Sequence, residues 1–186
     1  MQGIHLNIVP ETKQLNVNGK TIKVPKLGLK HRLLLKPNEN HEESMKTLLA
    51  SIAPNLSMAE RDLLTIHLLA YNGKIPNTVI KDGHTYSIED VYICQKLKFT
   101  YGDYEFKFRS PTFELLKGPA DILLSQCCVY VKKNDEKIQV PDFMDLPPFV
   151  INWVEQITKT IAIDGPNGPI KGLYELVELF DGPTSS

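Results

Sequence analysis

Apolar and polar residues alternate over residues 4–9 and again over 14–17, and the second run leads into Val17-Asn18-Gly19-Lys20-Thr21-Ile22. Period-two alternation places every other side chain on one face of a strand. Asn-Gly favours the positive φ angles of a tight hairpin turn, so residues 15–17 are predicted to pair with 21–24. Pro25 ends the second strand because it has no N–H for the ladder. Residues 27–35 are apolar with basic residues interleaved, which fits a strand or an extended arm. Pro37-Asn38-Glu39-Asn40 reads as a loop.

The period then lengthens. Met45, Leu48, Leu49 and Ile52 recur at i, i+3, i+4 and i+7, one stripe of a helix. Glu42 and Glu43 sit at its positive dipole end, and Pro54 stops it. A second helix starts at Ser57, with Glu60 at capping-box spacing. From 63 to 70 it is apolar almost all round, apart from Thr65 and His67, so it is buried on more than one side. Gly73 is its terminator.

Residues 78–140 read mostly as β-structure. Asp82-Gly83 is a turn; 96–100 and 104–108 form a hairpin about Gly102-Asp103, and 122–133 and 137–140 another about Asn134-Asp135. Ser87-Ile88-Glu89-Asp90 either opens a short helix or leads straight into a strand. Pro147 and Pro148 suit a first helical turn, followed by a stripe of Val150, Trp153, Val154, Ile157 and Ile161. After a loop at 164–168, Pro169 is predicted to open a last helix carrying Ile170, Leu173, Tyr174 and Val177 on one face. Gly182-Pro183 ends it, and Thr184-Ser185-Ser186 should fray. The whole is an α+β fold: N-terminal β-hairpin, two central helices, antiparallel β segment, two C-terminal helices. It is expected to form a single domain over 1–183, with a basic hairpin arm at 1–36, a body at 37–183 and a disordered tail at 184–186.

Composition changes this picture in two respects. A chain of 186 residues with a 42% hydrophobic share builds a core without disulfides or metal. The start lacks the pattern of a secretory signal, no apolar run reaches membrane-spanning length, and three cysteines exclude a complete disulfide framework, so synthesis in a reducing cytoplasm is expected. The net charge of −1 also hides an asymmetry: residues 1–36 sum to +6 and the remainder to −7. A basic arm on an acidic body can dock on that body, dock on an acidic partner, or stay solvated.

The chain offers little catalytic chemistry. Cys127 and Cys128, adjacent on a predicted strand, point to opposite faces, and Cys94 has no Cys-x-x-Cys partner, so structural roles are expected. His31, His41, His67 and His84 show no metal spacing; His67 reads as a hydrogen-bonded core residue. Glu42/Glu43, Glu60/Asp62 and Glu89/Asp90 sit at helix starts, where capping explains them. Asp164-Gly165-Pro166-Asn167-Gly168-Pro169 matches no phosphate or dinucleotide loop. Nucleic acid is a disfavoured partner, since the arm has no aromatics for stacking and the pI is near 6.5. Phe149 and Trp153, beside Phe143 and Met144, concentrate large apolar groups at a proline turn, suited to an interface or to the domain's own core.

Residues 56–74, with Ser57-Met58-Ala59-Glu60-Arg61-Asp62-Leu63-Leu64 and Leu68-Leu69-Ala70-Tyr71-Asn72-Gly73, resemble the T4-type bacteriophage baseplate hub and tail-assembly family. That family tends to show a strand ending near proline, a basic leucine-rich segment, a short amphipathic helix, then a helix with Asp and leucine-rich turns closed by Gly. Val24-Pro25, residues 30–35, 45–52 and 62–73 follow that order. Some relatives carry a Cys-x-x-Cys knuckle where 91–109 falls; here Cys94 stands at the first position but Leu97 at the second, so no zinc site is expected. An arginine often seen late in the second helix is missing, with Leu69 nearby.

The resemblance implies a non-enzymatic structural component or assembly factor of a contractile tail baseplate. It would need no cofactor and would bind other baseplate hub proteins in a hetero-oligomer, in the virion or in the host cytoplasm during assembly. The charge asymmetry points to Lys23, Lys26, Lys30 and Arg32, and the aromatic cluster to Phe149 and Trp153, as partner-binding residues. The competing expectations are a nucleic-acid adaptor using the basic arm and a thiol-dependent enzyme using Cys94, Cys127 or Cys128.

Overall fold

Asn18 and Gly19 take φ angles of 47° and 77°. This turn folds β1 (Thr12–Val17) onto β2 (Lys20–Pro25), with Leu15 opposite Ile22. Leu15, Val17, Ile22 and Val24 share the buried face, as period two predicts. The structure is a computed structural model that describes residues 11–34 and 41–182. The alternating run at 4–9, the loop at 37–40 and the tail at 184–186 lie outside the described residues.

The segment after Pro25 corrects the expected strand or extended arm. Residues Leu29–Arg32 form a single helical turn, α1. The Gly28 N–H donates to Nδ1 of the buried His31 at 3.0 Å, which closes the turn locally. Helix α2 (His41–Ile52) stops before Pro54, and α3 (Met58–Tyr71) starts at a complete capping box on Ser57 and Glu60. Gly73 (φ 66°) ends α3 in a Schellman turn: its N–H donates to Ala70 O at 3.0 Å and the Lys74 N–H to Leu69 O at 2.9 Å. Residues 63–68 of α3 are all buried, as an all-round apolar helix requires.

Hairpin β3 (Thr78–Lys81) and β4 (His84–Ser87) turns at Asp82-Gly83. Ser87 then does both things the sequence allowed: a 3-10 turn, Ile88–Asp90, followed by the short strand β5 (Tyr92–Ile93). Strands β6 (Lys98–Tyr101) and β7 (Tyr104–Phe108) form the predicted hairpin, followed by a one-turn helix α4 (Phe113–Leu116).

Three further expectations are corrected. The run at 122–127 is helix α5 (Ala120–Cys127), not strand: Leu123, Leu124 and Cys127 are buried at helical spacing, Pro119 precedes the first turn and Asp121 lies in it. Cys128 opens β8 (Cys128–Lys133), so the two cysteines do not share a strand; β9 (Glu136–Ile138) completes that hairpin. Helix α6 (Ile151–Thr158) ends before Ile161, which belongs to the fully buried strand β10 (Ile161–Ile163). A short strand buried on both faces is a continuous apolar run, which period alone does not separate from helix. Ile170–Lys171 is strand β11 rather than helix; α7 (Leu173–Asp181) begins after Gly172 (φ 110°), burying Leu176, Leu179 and Phe180 and leaving Tyr174 exposed.

The sheets run β11-β10-β5 and β6-β7-β8-β9, beside the two lone hairpins, and every pairing among the described residues is antiparallel. The apolar residues gather in two cores. One joins the N-terminal hairpin, α2, α3, β10 and α7; the other joins one face of the four-stranded sheet to α5 and α6. Residues 94–96 stitch them together: Cys94 N–H donates to Thr160 O, and Lys96 N–H to Gln156 O, both at 2.9 Å.

Candidate partner-binding surfaces

The described part of the basic arm packs on its own body. Its apolar face joins the first core, and Lys13, Lys20 and Lys26 reach acidic or carbonyl groups in cis. Lys13 pairs with Glu89 and lies 3.4 Å from Nδ1 of His67; Lys20 lies 3.4 Å from Oε1 of Glu60. Of the residues expected to meet a partner, Lys26 is committed internally: it donates to Tyr71 O, capping the end of α3, and sits 4.2 Å from the centroid of the Tyr71 ring. Lys23 and Lys30 are exposed, with Leu29 and Leu33 exposed beside Lys30. Arg32 ends α1, and its side chain lies outside what is described.

Phe149 and Trp153 separate cleanly. Trp153 is 5% exposed and stacks on Phe99 with centroids 4.8 Å apart, so it is a core residue and not a surface anchor. Phe149 is 41% exposed at the rim, 5.2 Å from the ring of Tyr101, which is also exposed. Between α2, α3 and the chain around Pro111 runs a mainly apolar groove of about 690 Å³, lined by Met45, Leu49, Met58, Arg61, Pro111 and Leu116.

Burial and local hydrogen bonds shift several titratable groups. Burial pushes all three thiols up, Cys128 to about 11, opposite to the shift that activates a thiolate. Burial, reinforced by Lys13 and opposed by Glu89, lowers His67 to about 4. The bond from the Ser57 N–H holds the Glu60 carboxyl below its usual range. Burial raises Asp62 against the opposing pull of its Thr160 hydrogen bond and of Arg61. No cluster of three His, Cys, Asp or Glu side chains with metal-holding geometry exists among the described residues.

One surface escaped the sequence reasoning. On the outer face of the sheet β6-β7-β8-β9, Lys98 stands opposite Lys107, Glu105 opposite Lys132, and Lys132 opposite Lys137. The signal was present as lysines alternating with Phe99, Phe106 and Val131, but only strand pairing brings them onto one face.

The described residues thus present a cis-docked hairpin, an exposed aromatic rim and a charged sheet face. The chain belongs to the baseplate hub distal subunit family, which matches residues 24–180. It is 43% identical over 181 residues to the baseplate hub assembly protein gp28 of Enterobacteria phage T4, covering 96% of this chain and 100% of that protein. No solved structure matches it.

Proposed function

We propose that this chain is a non-enzymatic subunit or assembly factor of the contractile phage tail baseplate hub. It acts as one folded unit that binds other baseplate proteins in a hetero-oligomer, in the tail or in the host cytoplasm during assembly. The observation that carries this reading is the match over the whole length of the T4 assembly protein. The raised thiols and the internal use of His67 and Glu60 support a binding role over catalysis. Lys23, Lys30 and Phe149 are the exposed members of the expected contact set and are the residues proposed to meet partners. Affinity purification of the tagged chain from cells expressing the whole source genome tests this. Baseplate proteins eluting in fixed ratio are the expected result; a chain that elutes alone contradicts it.

A further inference from the structure

The outer face of the four-stranded sheet is strongly asymmetric in charge. Lys98, Lys107, Lys132 and Lys137 set four ammonium groups against one carboxylate, Glu105, on the same face by strand alternation. The opposite face carries Phe99, Phe106, Phe108 and Val131 into the second core, so the charged side is left to solvent. Glu105 is already engaged by Lys98 at 2.7 Å and by the Tyr130 hydroxyl at 3.0 Å. The Lys107 ammonium has no hydrogen bond or ion pair among the described residues.

We propose that this sheet face docks an acidic protein surface on another baseplate subunit, an inference that rests on the hub reading above. Two features favour a protein over nucleic acid. Glu105 places a carboxylate in the middle of the face, where a phosphate backbone would meet repulsion. Tyr130, the aromatic residue on the face, is tied through its hydroxyl to Glu105, and Lys132 and Lys137 stand 5.4 and 5.6 Å from its ring centroid, which fills the position a stacked base would take. An acidic protein surface satisfies the lysines and avoids Glu105. The face is bounded by β9, an edge strand that pairs, among the described residues, with β8 alone.

The test is K107E/K137E. Each new carboxylate lies across from a remaining lysine, Lys98 or Lys132, so the fold tolerates the change while the face turns net acidic. The tagged wild type, K107E/K137E, K107R/K137R and K74E, a control at an exposed lysine outside the sheet, are each co-expressed with the source tail proteins. They are purified at low and moderate salt, with circular dichroism to confirm folding. The proposal expects at least about a tenfold loss of co-eluting baseplate protein for K107E/K137E, none for the arginine pair or K74E, and a wild-type yield that falls with salt. Equal capture by all variants overturns the sheet-face proposal and leaves the hub reading standing. No baseplate protein with the wild type overturns both. Retention of duplex DNA by the wild type in dilute salt, lost in K107E/K137E, overturns the choice of a protein partner.

Discussion

Thr160 donates a 2.6 Å hydrogen bond from Oγ1 to Oδ2 of Asp62, 98 residues away in the chain. Asp62 lies on α3 in the first core, and Thr160 sits where the chain passes from α6 of the second core into β10. The bond therefore pins together the two halves of the molecule at a point where Thr160 is buried and Asp62 is half-buried. Thr160→Val keeps the shape but leaves the Asp62 carboxyl facing a methyl group. We expect a loss of about 1–3 kcal/mol, the cost of a buried polar group without its partner. Asp62→Asn, which retains an acceptor, should lose less. Urea unfolding of both variants measures this, and a single shared transition by fluorescence and circular dichroism is expected for the wild type.

His67 gives the protein a predictable pH response. Its imidazole is buried against Lys13, with Glu89 beyond, and its pKa falls from 6.5 to about 4. The unfolded chain therefore takes up this proton first. The stability that comes from keeping His67 neutral is complete above pH 6.5 and is lost as pH falls through about 4. Across that window the loss is about 3 kcal/mol. His67→Gln should flatten the decline; parallel wild-type and variant curves of urea midpoint against pH would remove His67 as its source.

Phe149 and Trp153 are predicted to behave oppositely. Trp153→Ala empties the space between Phe99, Phe106 and Phe108 and should cost about 3–5 kcal/mol. Phe149→Ala removes a rim side chain and should change stability by no more than about 1 kcal/mol while reducing capture of baseplate partners. Thermal unfolding beside co-purification separates the two effects; unchanged capture by Phe149→Ala would take Phe149 out of the interface.

The legible parts of the fold are those whose cause is local. Asn18-Gly19, Asp82-Gly83 and the Ser57/Glu60 box each fix their turn or cap within a few residues, and the structure has all three. The misread parts depend on partners far along the chain. Ile161 lies four residues after Ile157, in phase with the α6 stripe, yet it becomes a strand because β5 and β11 supply its ladder. Ile122 and its neighbours carry an apolar run that fits either period, and burial of Leu123, Leu124 and Cys127 decides for helix. The same limit applies to the candidate surfaces. The lysines of the arm were visible, but not that Lys26 caps α3 through Tyr71, and the sheet-face lysines come from separate strands that only pairing unites.

The central claim, a role in building the baseplate hub, is tested most directly by an early stop codon in this gene within its source genome. Tails from the resulting lysate are imaged by electron microscopy and compared with those made when the wild-type chain is supplied from a plasmid. The account predicts that tails with complete baseplates fail to accumulate without the chain and return when it is supplied. Complete, contractile tails made in its absence would contradict it.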